Sequence, residues 1–388
     1  MKYYIIAGEA SGDLHGSNLM KGLYAQDPRA DIRFWGGELM NAVFKSRQEG
    51  TGLVKDYRDG AVMGYLEVLL KGFSLLKKVR FCKEDIAAWK PDVVILIDYP
   101  GFNFKIAEFA HKAGFKVFYY IAPKVWASRE GRIRKLKAFV DRLFIVFPFE
   151  IPYFESRGVP FTYAGNPLVD AIDRSPALQE SREAFFSRTG LPDAQYIALL
   201  AGSRNMEIGQ MMPVFMEFAD RWHRIYPDCR FVVAAGPSRT PEDYAAYLGD
   251  RDYVHLVFGE TYGALRHARA AIINSGTASL EAALIGTPQV VGYRVAAASA
   301  FIMRRLIKVK YVSLANLIID RPAFREFLQE NFTVENLEAE MLRLWEDEAY
   351  RQKMLADYAQ IRDLLGGTGA SDAVAGAMIN ELKNNNLS

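Results

Sequence analysis

"IINSGTASLEAALIGTPQVVGY", from Ile272 to Tyr293, sets an apolar run against a turn of small residues, a helix-like stretch and a second apolar run. A strand that ends in Gly, Ser and Thr and leads into a helix start is one α/β unit in miniature. Its turn points unpaired backbone N–H groups beyond the strand's end, which suits an anion. "YYIIAGEASGDLHGSNLM", Tyr3 to Met20, opens the chain with the same grammar.

Working outward from these two stretches, the rest of the chain repeats the rhythm. "PDVVILIDYPGFN", "KVFYYIAP" and "RLFIVFPF" read as strands in the first half, separated by helix-like segments such as "FKIAEFAHKAGF". "QYIALLAGSR", "CRFVVAAGP", "VHLVFG" and "AAIINSG" do so in the second. Runs that are apolar on both faces and alternate with helices predict parallel sheets covered on both sides. The fold class is therefore α/β, with two doubly wound, Rossmann-like halves. Gly, Asn and Pro interrupt the pattern at "YAGNPLVDAIDRSP", which places the seam there. The expected domains are residues 1–166, residues 167–345 and a helical tail over 346–388. That tail has two destinations open to it, the first domain or a second chain in a homodimer.

The length of 388 residues agrees with two cores. Lys and Arg number 48 against 46 Asp and Glu, a near balance that argues against bulk nucleic-acid binding. Cys82 and Cys229 lack metal-ligand or disulfide-framework spacing, which favours a reducing compartment. The first apolar run is too short for a secretion signal, and no run is long enough to span a bilayer. These features lead us to expect a soluble or surface-bound intracellular protein.

Ligands of open α/β sheets sit beyond the carboxyl ends of the strands, and three turns there carry chemistry. In "LLAGSRNMEIGQ", Ser203 and the helix start after it, with Arg204 as a cation, suit a phosphate or pyrophosphate; the alternative is a plain helix cap with a surface arginine. In "NSGTASLEAA", Ser275, Gly276 and Thr277 open a helix toward an anion, and Glu281 lies one turn on, placed for ribose hydroxyls; ordinary capping is the rival reading. Asp98 ends the run "VVILI", where partial desolvation would raise its pKa and suit a general base, although "DYPG" is equally a turn whose carboxylate caps a loop N–H. No dinucleotide fingerprint, P-loop or nucleophile elbow is present, and His15, His111, His223, His255 and His267 lack ligand spacing, so neither a cofactor nor a metal is expected. Two stretches look outward: "AVMGYLEVLLKGFSLLKKVR", with Met63, Tyr65, Leu66, Val68, Leu69 and Phe73, and the basic, apolar "FIMRRLIKVKYV". Both suit an anionic membrane surface; an amphipathic helix packed in a core is the alternative.

Taken in order, "GEASGD", "VMGYLEVL", "DYPGFN", "YYIAPKVWA", "FPFE", "GNPLVD", "AGSRNMEI", "SGTASLE" and "SLANLI" resemble the lipid-A-disaccharide synthase family. The resemblance implies a GT-B glycosyltransferase whose two Rossmann-like domains face each other across a cleft. It implies inverting transfer from UDP-2,3-diacylglucosamine to 2,3-diacylglucosamine 1-phosphate, giving a β-1,6 disaccharide 1-phosphate and UDP. Ser203, Arg204, Glu207, Ser275, Gly276, Thr277, Glu281 and Asn316 would then hold the donor. Asp98 would be the base, and Ser11, Gly12 and His15 would line the acceptor side. The implied location is the cytoplasmic face of the bacterial inner membrane, bound peripherally. The chain departs from the family in having Ser128 where a second tryptophan usually follows "VWA". Two rival functions share the nucleotide turns: a UDP-sugar epimerase, and a non-catalytic protein that binds a UDP-lipid.

Overall fold

The computed structural model describes residues 1–58, 67–126, 130–236, 239–294 and 310–385, with the backbone alone at 67–74 and 385. The chain divides into two compact units, Met1–Ala171 together with Leu365–Ser388, and Ile172–Leu364.

In the first unit, β1 (Lys2–Ala7), β2 (Asp31–Gly36), β3 (Leu53–Asp56), β4 (Val93–Ile97), β5 (Lys116–Tyr120), β6 (Arg142–Ile145) and β7 (Phe161–Tyr163) form one sheet. Its order is β3-β2-β1-β4-β5-β6-β7 and its pairings are parallel, with Ala7 beside Ile97 and Ile97 beside Tyr120. Helices α1 (Ala10–Gln26), α2 (Glu38–Lys45), α3 (Glu67–Trp89), α4 (Pro100–Lys112), α5 (Ile133–Phe139) and α6 (Glu150–Glu155) connect the strands. All five residues of β4 are completely buried. A strand covered on both faces has no solvent side to carry polar residues, and each such side chain contributes about 1.5–3 kcal/mol relative to exposure.

The second unit begins within α7 (Pro167–Asp173) and continues through α8 (Arg182–Thr189). Its strands are β8 (Tyr196–Leu200), β9 (Arg230–Ala235), β10 (Val254–Phe258), β11 (Ala270–Asn274), β12 (Gln289–Tyr293) and β13 (Glu326–Leu328), in the parallel order β10-β9-β8-β11-β12-β13. The helices are α9 (Asn205–Ile225), α10 (Glu242–Leu248), α11 (Thr261–His267), α12 (Thr277–Ile285), α13 (Leu314–Ile318), α14 (Val334–Glu346) and α15 (Glu348–Leu365). Strands β3, β7 and β13 have no counterpart in the sequence reading. Each is three or four residues long, half-buried and at or near a sheet edge, too short to show a period.

The last helix, α16 (Ala370–Asn385), belongs to the first unit and packs along α1. The buried Asp170 carboxylate accepts the N–H groups of Gly369 (2.5 Å) and Ser371 (2.8 Å) at its start, and Arg142 pairs with Glu381 at 2.8 Å. Gly22 on α1 lets the helices approach closely, since a Cβ there would lie 3.0 Å from that of Ala375. The tail expected over 346–388 is thus not one body. Residues up to Leu364 stay with the second unit, and the rest return to the first.

Each sheet has one place where the strand order reverses, between β1 and β4 and between β8 and β11. The chain leaves adjacent strands there in opposite directions, which opens a crevice at their carboxyl ends.

Candidate active site

At the first switch point, β4 runs into Asp98 and Tyr99, both in the left-handed region with φ 42° and 45°. Such conformations cost roughly 1–3 kcal/mol each in a residue with a side chain and persist only where neighbours hold them. Here the holders are buried. Asn103 Nδ2 donates to the carbonyls of Ile97 (3.2 Å) and Asp98 (2.8 Å), and Tyr119 OH donates to the Asp98 carbonyl at 2.5 Å. The Tyr99 ring lies flat on Gly8, where any Cβ would stand 2.3 Å from it, and stacks on Phe102 at 5.5 Å. Burial, reinforced by the nearby Glu9 charge, pushes the Asp98 carboxyl up to about 6; Lys124 and the Tyr99 N–H pull the other way. Asp98 thus ends the buried run with its basicity raised by burial, as expected of an acid at the mouth of the sheet.

The "GEASGD" turn follows β1 at the same point. Ser11 is exposed and Gly12 is buried, fitting α1 against Ala7. His15 is half-buried with its imidazole enclosed; its Nδ1 finds no partner among the described residues, and burial lowers its pKa to about 4. Asp13, which the sequence reading assigned no role, is buried and accepts the N–H groups of Gly37 (2.7 Å), Leu39 (3.0 Å) and Met40 (3.1 Å). It seals the start of α2 and ties α1 to the turn after β2.

At the second switch point the two turns differ. After β8, Gly202 adopts φ 103°, and the Glu207 carboxylate accepts the N–H groups of Ser203 (2.9 Å) and Arg204 (3.2 Å). Glu207 also pairs with Arg204 at 2.9 Å, while the Arg204 side chain remains 71% exposed. The expectation that this turn offers free N–H groups to a phosphate is thus corrected for Ser203 and Arg204. A glutamate in the third helical position reaches back and takes them, so Glu207 braces the turn and Arg204 is what faces solvent. After β11, no side chain caps α12: Gly276 precedes it with extended backbone, and Gly276 and Thr277 are exposed, with Ser275 half-exposed. Helix N-termini in this condition bind anions through N–H groups and the helix dipole. Glu281, one turn into α12, is largely enclosed and accepts from Tyr262 OH at 3.1 Å; burial raises its pKa.

Asn316 requires a second correction. It is fully buried on α13, donates to the Phe324 carbonyl (3.2 Å) and Glu326 (2.8 Å), and accepts from the Ala323 N–H (2.8 Å). Its amide is committed to tying that loop to the helix, which leaves it poorly suited to a donor contact. Of the expected membrane contacts, Met63, Tyr65 and Leu66 and the side chains of Val68, Leu69 and Phe73 lie outside the described residues, as does most of "FIMRRLIKVKYV". Among the described residues no helix is long and apolar enough to cross a membrane.

The first sheet's carboxyl edge also carries a group without a chemical role in the sequence reading. Glu150, buried at the start of α6, accepts from Trp126 Nε1 (3.0 Å) and from the N–H groups of Phe147 (3.1 Å) and Val146 (3.2 Å). "VWA" and "FPFE" were both legible, but nothing local links residues 24 positions apart.

Two Rossmann-like units, each with a candidate site at its switch point, define a class that includes many enzymes handling nucleotide-linked sugars. The fold agrees: UDP-GlcNAc 2-epimerase from Neisseria meningitidis superposes with TM-score 0.72 at 14% identity, covering 98% of this chain and 100% of that one. The calicheamicin glycosyltransferase CalG4 gives 0.57 at 16%, covering 98% of each. The family match is specific. Residues 3–373 match the lipid-A-disaccharide synthetase family. The lipid-A-disaccharide synthase of Geobacter metallireducens is 37% identical over 380 residues, covering 97% of this chain and 96% of that protein. That of Myxococcus xanthus is 37% identical over 377 residues, covering 97% and 96%. The chain belongs to the lipid-A-disaccharide synthase family.

Proposed function

We propose that this protein transfers 2,3-diacylglucosamine from its UDP derivative to the 6-hydroxyl of 2,3-diacylglucosamine 1-phosphate. The family and its relatives support the reaction, and the two switch points support a division of labour. The second unit holds the donor. Its diphosphate sits at the uncapped start of α12 and near Arg204, and Glu281 accepts from the ribose. The first unit holds the acceptor beside Asp98, along the edge formed by Ser11, Gly12 and His15.

The acceptor oxygen attacks C1 of the donor sugar as the bond from C1 to the diphosphate oxygen breaks. The 6-hydroxyl proton passes to the Asp98 carboxylate, and UDP leaves with the bonding pair. Direct in-line attack inverts the anomeric carbon. A carboxyl near pKa 6 is mostly ionised at neutral pH yet more basic than an exposed aspartate, which is what a general base requires. The dipole of α12 and the Arg204 charge stabilise the developing negative charge on UDP. Acyl chains on both substrates bring the protein to the cytoplasmic surface of the inner membrane, where the segment at 61–80 meets the bilayer.

The observation that carries this reading is Asp98, held in a strained turn at the first switch point with a raised pKa. Incubation with both acylated sugars and mass analysis tests it: the expected products are the tetra-acyl disaccharide 1-phosphate and one UDP per disaccharide. UDP release from the donor with no acceptor present would refute it.

A further inference from the structure

The carboxyl edge of the first sheet extends past Asp98 to an aromatic cluster. Strands β4, β5 and β6 lie side by side, about 4.8 Å apart in a sheet, so Asp98 and the turn after β6 stand roughly 10 Å apart on one edge. The backbone ladder continues to that edge: the Asp98 N–H donates to the Tyr120 carbonyl (3.2 Å) and the Ile121 N–H to that of Phe144 (3.0 Å). Lys124, exposed after β5, is felt by both Asp98 and Glu150. Trp126 meets Phe149 edge-on at 4.9 Å, and Phe149 stacks on Phe147 at 5.3 Å. Trp126 and Phe149 are half-exposed, so their rings form a ledge that faces solvent.

What orients the ledge is one buried carboxylate. One Glu150 oxygen takes the two backbone N–H groups of the β6 turn, and the other takes the indole N–H of Trp126. Trp126 leaves β5 and Phe149 leaves β6, so Glu150 fixes two separate loops relative to each other. An ionised carboxylate is acceptor-only and suits three converging donors. Leaving buried donors without an acceptor is costly. The two backbone N–H groups of the β6 turn need an acceptor for stability alone; the second oxygen, given to a half-exposed indole, is what goes beyond that need.

We propose that Glu150 is a positioning residue for the acceptor: by holding the Trp126 indole it sets an aromatic platform, beside Asp98, for the sugar face and first acyl carbons of an acylated glucosamine. The inference rests on the function proposed above and names a substrate contact within it. Burial pushes the Glu150 carboxyl up to about 7, opposed by its three donors and by Lys124. The charged or titratable groups facing it are Lys124 after β5, which also acts on Asp98, and Tyr163 on β7. Protonation weakens the grip on Trp126, so the platform loosens as pH falls through about 7.

Glu150→Gln separates the two halves of the contact. Its amide oxygen can keep the backbone N–H groups, but its NH2 then faces the indole N–H, donor against donor. Trp126→Phe keeps a ring and loses the N–H. Each variant is expected to raise KM for 2,3-diacylglucosamine 1-phosphate about tenfold, the size of a lost hydrogen bond to a charged group, with little change in kcat and none in UDP affinity. The double variant should be no worse than either single one. Wild-type tryptophan emission should titrate with a midpoint near 7, and both variants should lose that transition. An unchanged acceptor KM in either variant, additive losses in the double, or emission that does not titrate would overturn the proposal. If wild type made no disaccharide but its emission titrated and Glu150→Gln abolished this, the coupling of Glu150 to Trp126 would stand and the proposed reaction would fall.

Discussion

The starts of α9 and α12 follow neighbouring strands and read alike, "GSRNMEIG" and "SGTASLEA", yet one is sealed and the other open. Glu207 occupies the third helical position of α9 and takes the N–H groups of Ser203 and Arg204. Ser279 occupies that position in α12, and its hydroxyl turns to the Gly276 carbonyl at 2.9 Å. One side chain, three residues into the helix, decides which turn is braced and which leaves its helix start uncapped. At the first switch point the sealing carboxylate comes from another helix: Asp13 of α1 takes N–H groups at the start of α2.

The contrast between braced and reactive groups can be tested by exchanging them, starting where the largest effect is expected. Asp98→Asn should raise stability at neutral pH. The folded state raises this carboxyl from about 3.8 to about 6, so its penalty is absent below pH 4, grows as pH rises to 6 and is constant above. The gap amounts to about 3 kcal/mol, and Asn also tolerates the left-handed turn. Denaturant unfolding of both proteins at pH 4 and pH 8 should show the variant gaining only at the higher pH.

Gly276→Asp would turn the open helix into a sealed one. No atom lies within 4 Å of a Cβ at Gly276, and its extended backbone suits any residue. A capping carboxylate should weaken UDP binding at least about tenfold in calorimetry while the melting temperature holds or rises. Glu207→Gln tests the converse. Loss of the charged brace should cost about 1 kcal/mol, a fall in melting temperature of roughly 2–4 °C. A gain in stability would mean that Glu207 is strained rather than bracing. Arg204→Ala should have the smallest effect: its ion pair is exposed and contributes little to folding, so UDP affinity should fall a few-fold with stability unchanged.

How much of this was legible depends on whether the signal was local. The run "VVILIDYPGFN" announced both a buried strand and an acid at its mouth, because an apolar run and its terminating charge are adjacent. The brace at Glu207 was missed because a capping box is recognised by Ser or Thr at its head, and here Arg204 stands there. Asn316 was assigned to the donor through family resemblance, and only the loop at 323–326, seven to ten residues on, reveals that its amide is already engaged. Asp13 and Glu150 work through partners on other elements, Gly37 to Met40 and Trp126, and no spacing within a helix or strand encodes those contacts.

Turnover and UDP affinity of Asp98→Asn, measured on one preparation with both acylated sugars, test the central claim most directly. Removing the proton acceptor should lower disaccharide formation by about 10²–10⁴-fold and leave UDP binding as in the wild type. Turnover at the wild-type rate would contradict the account.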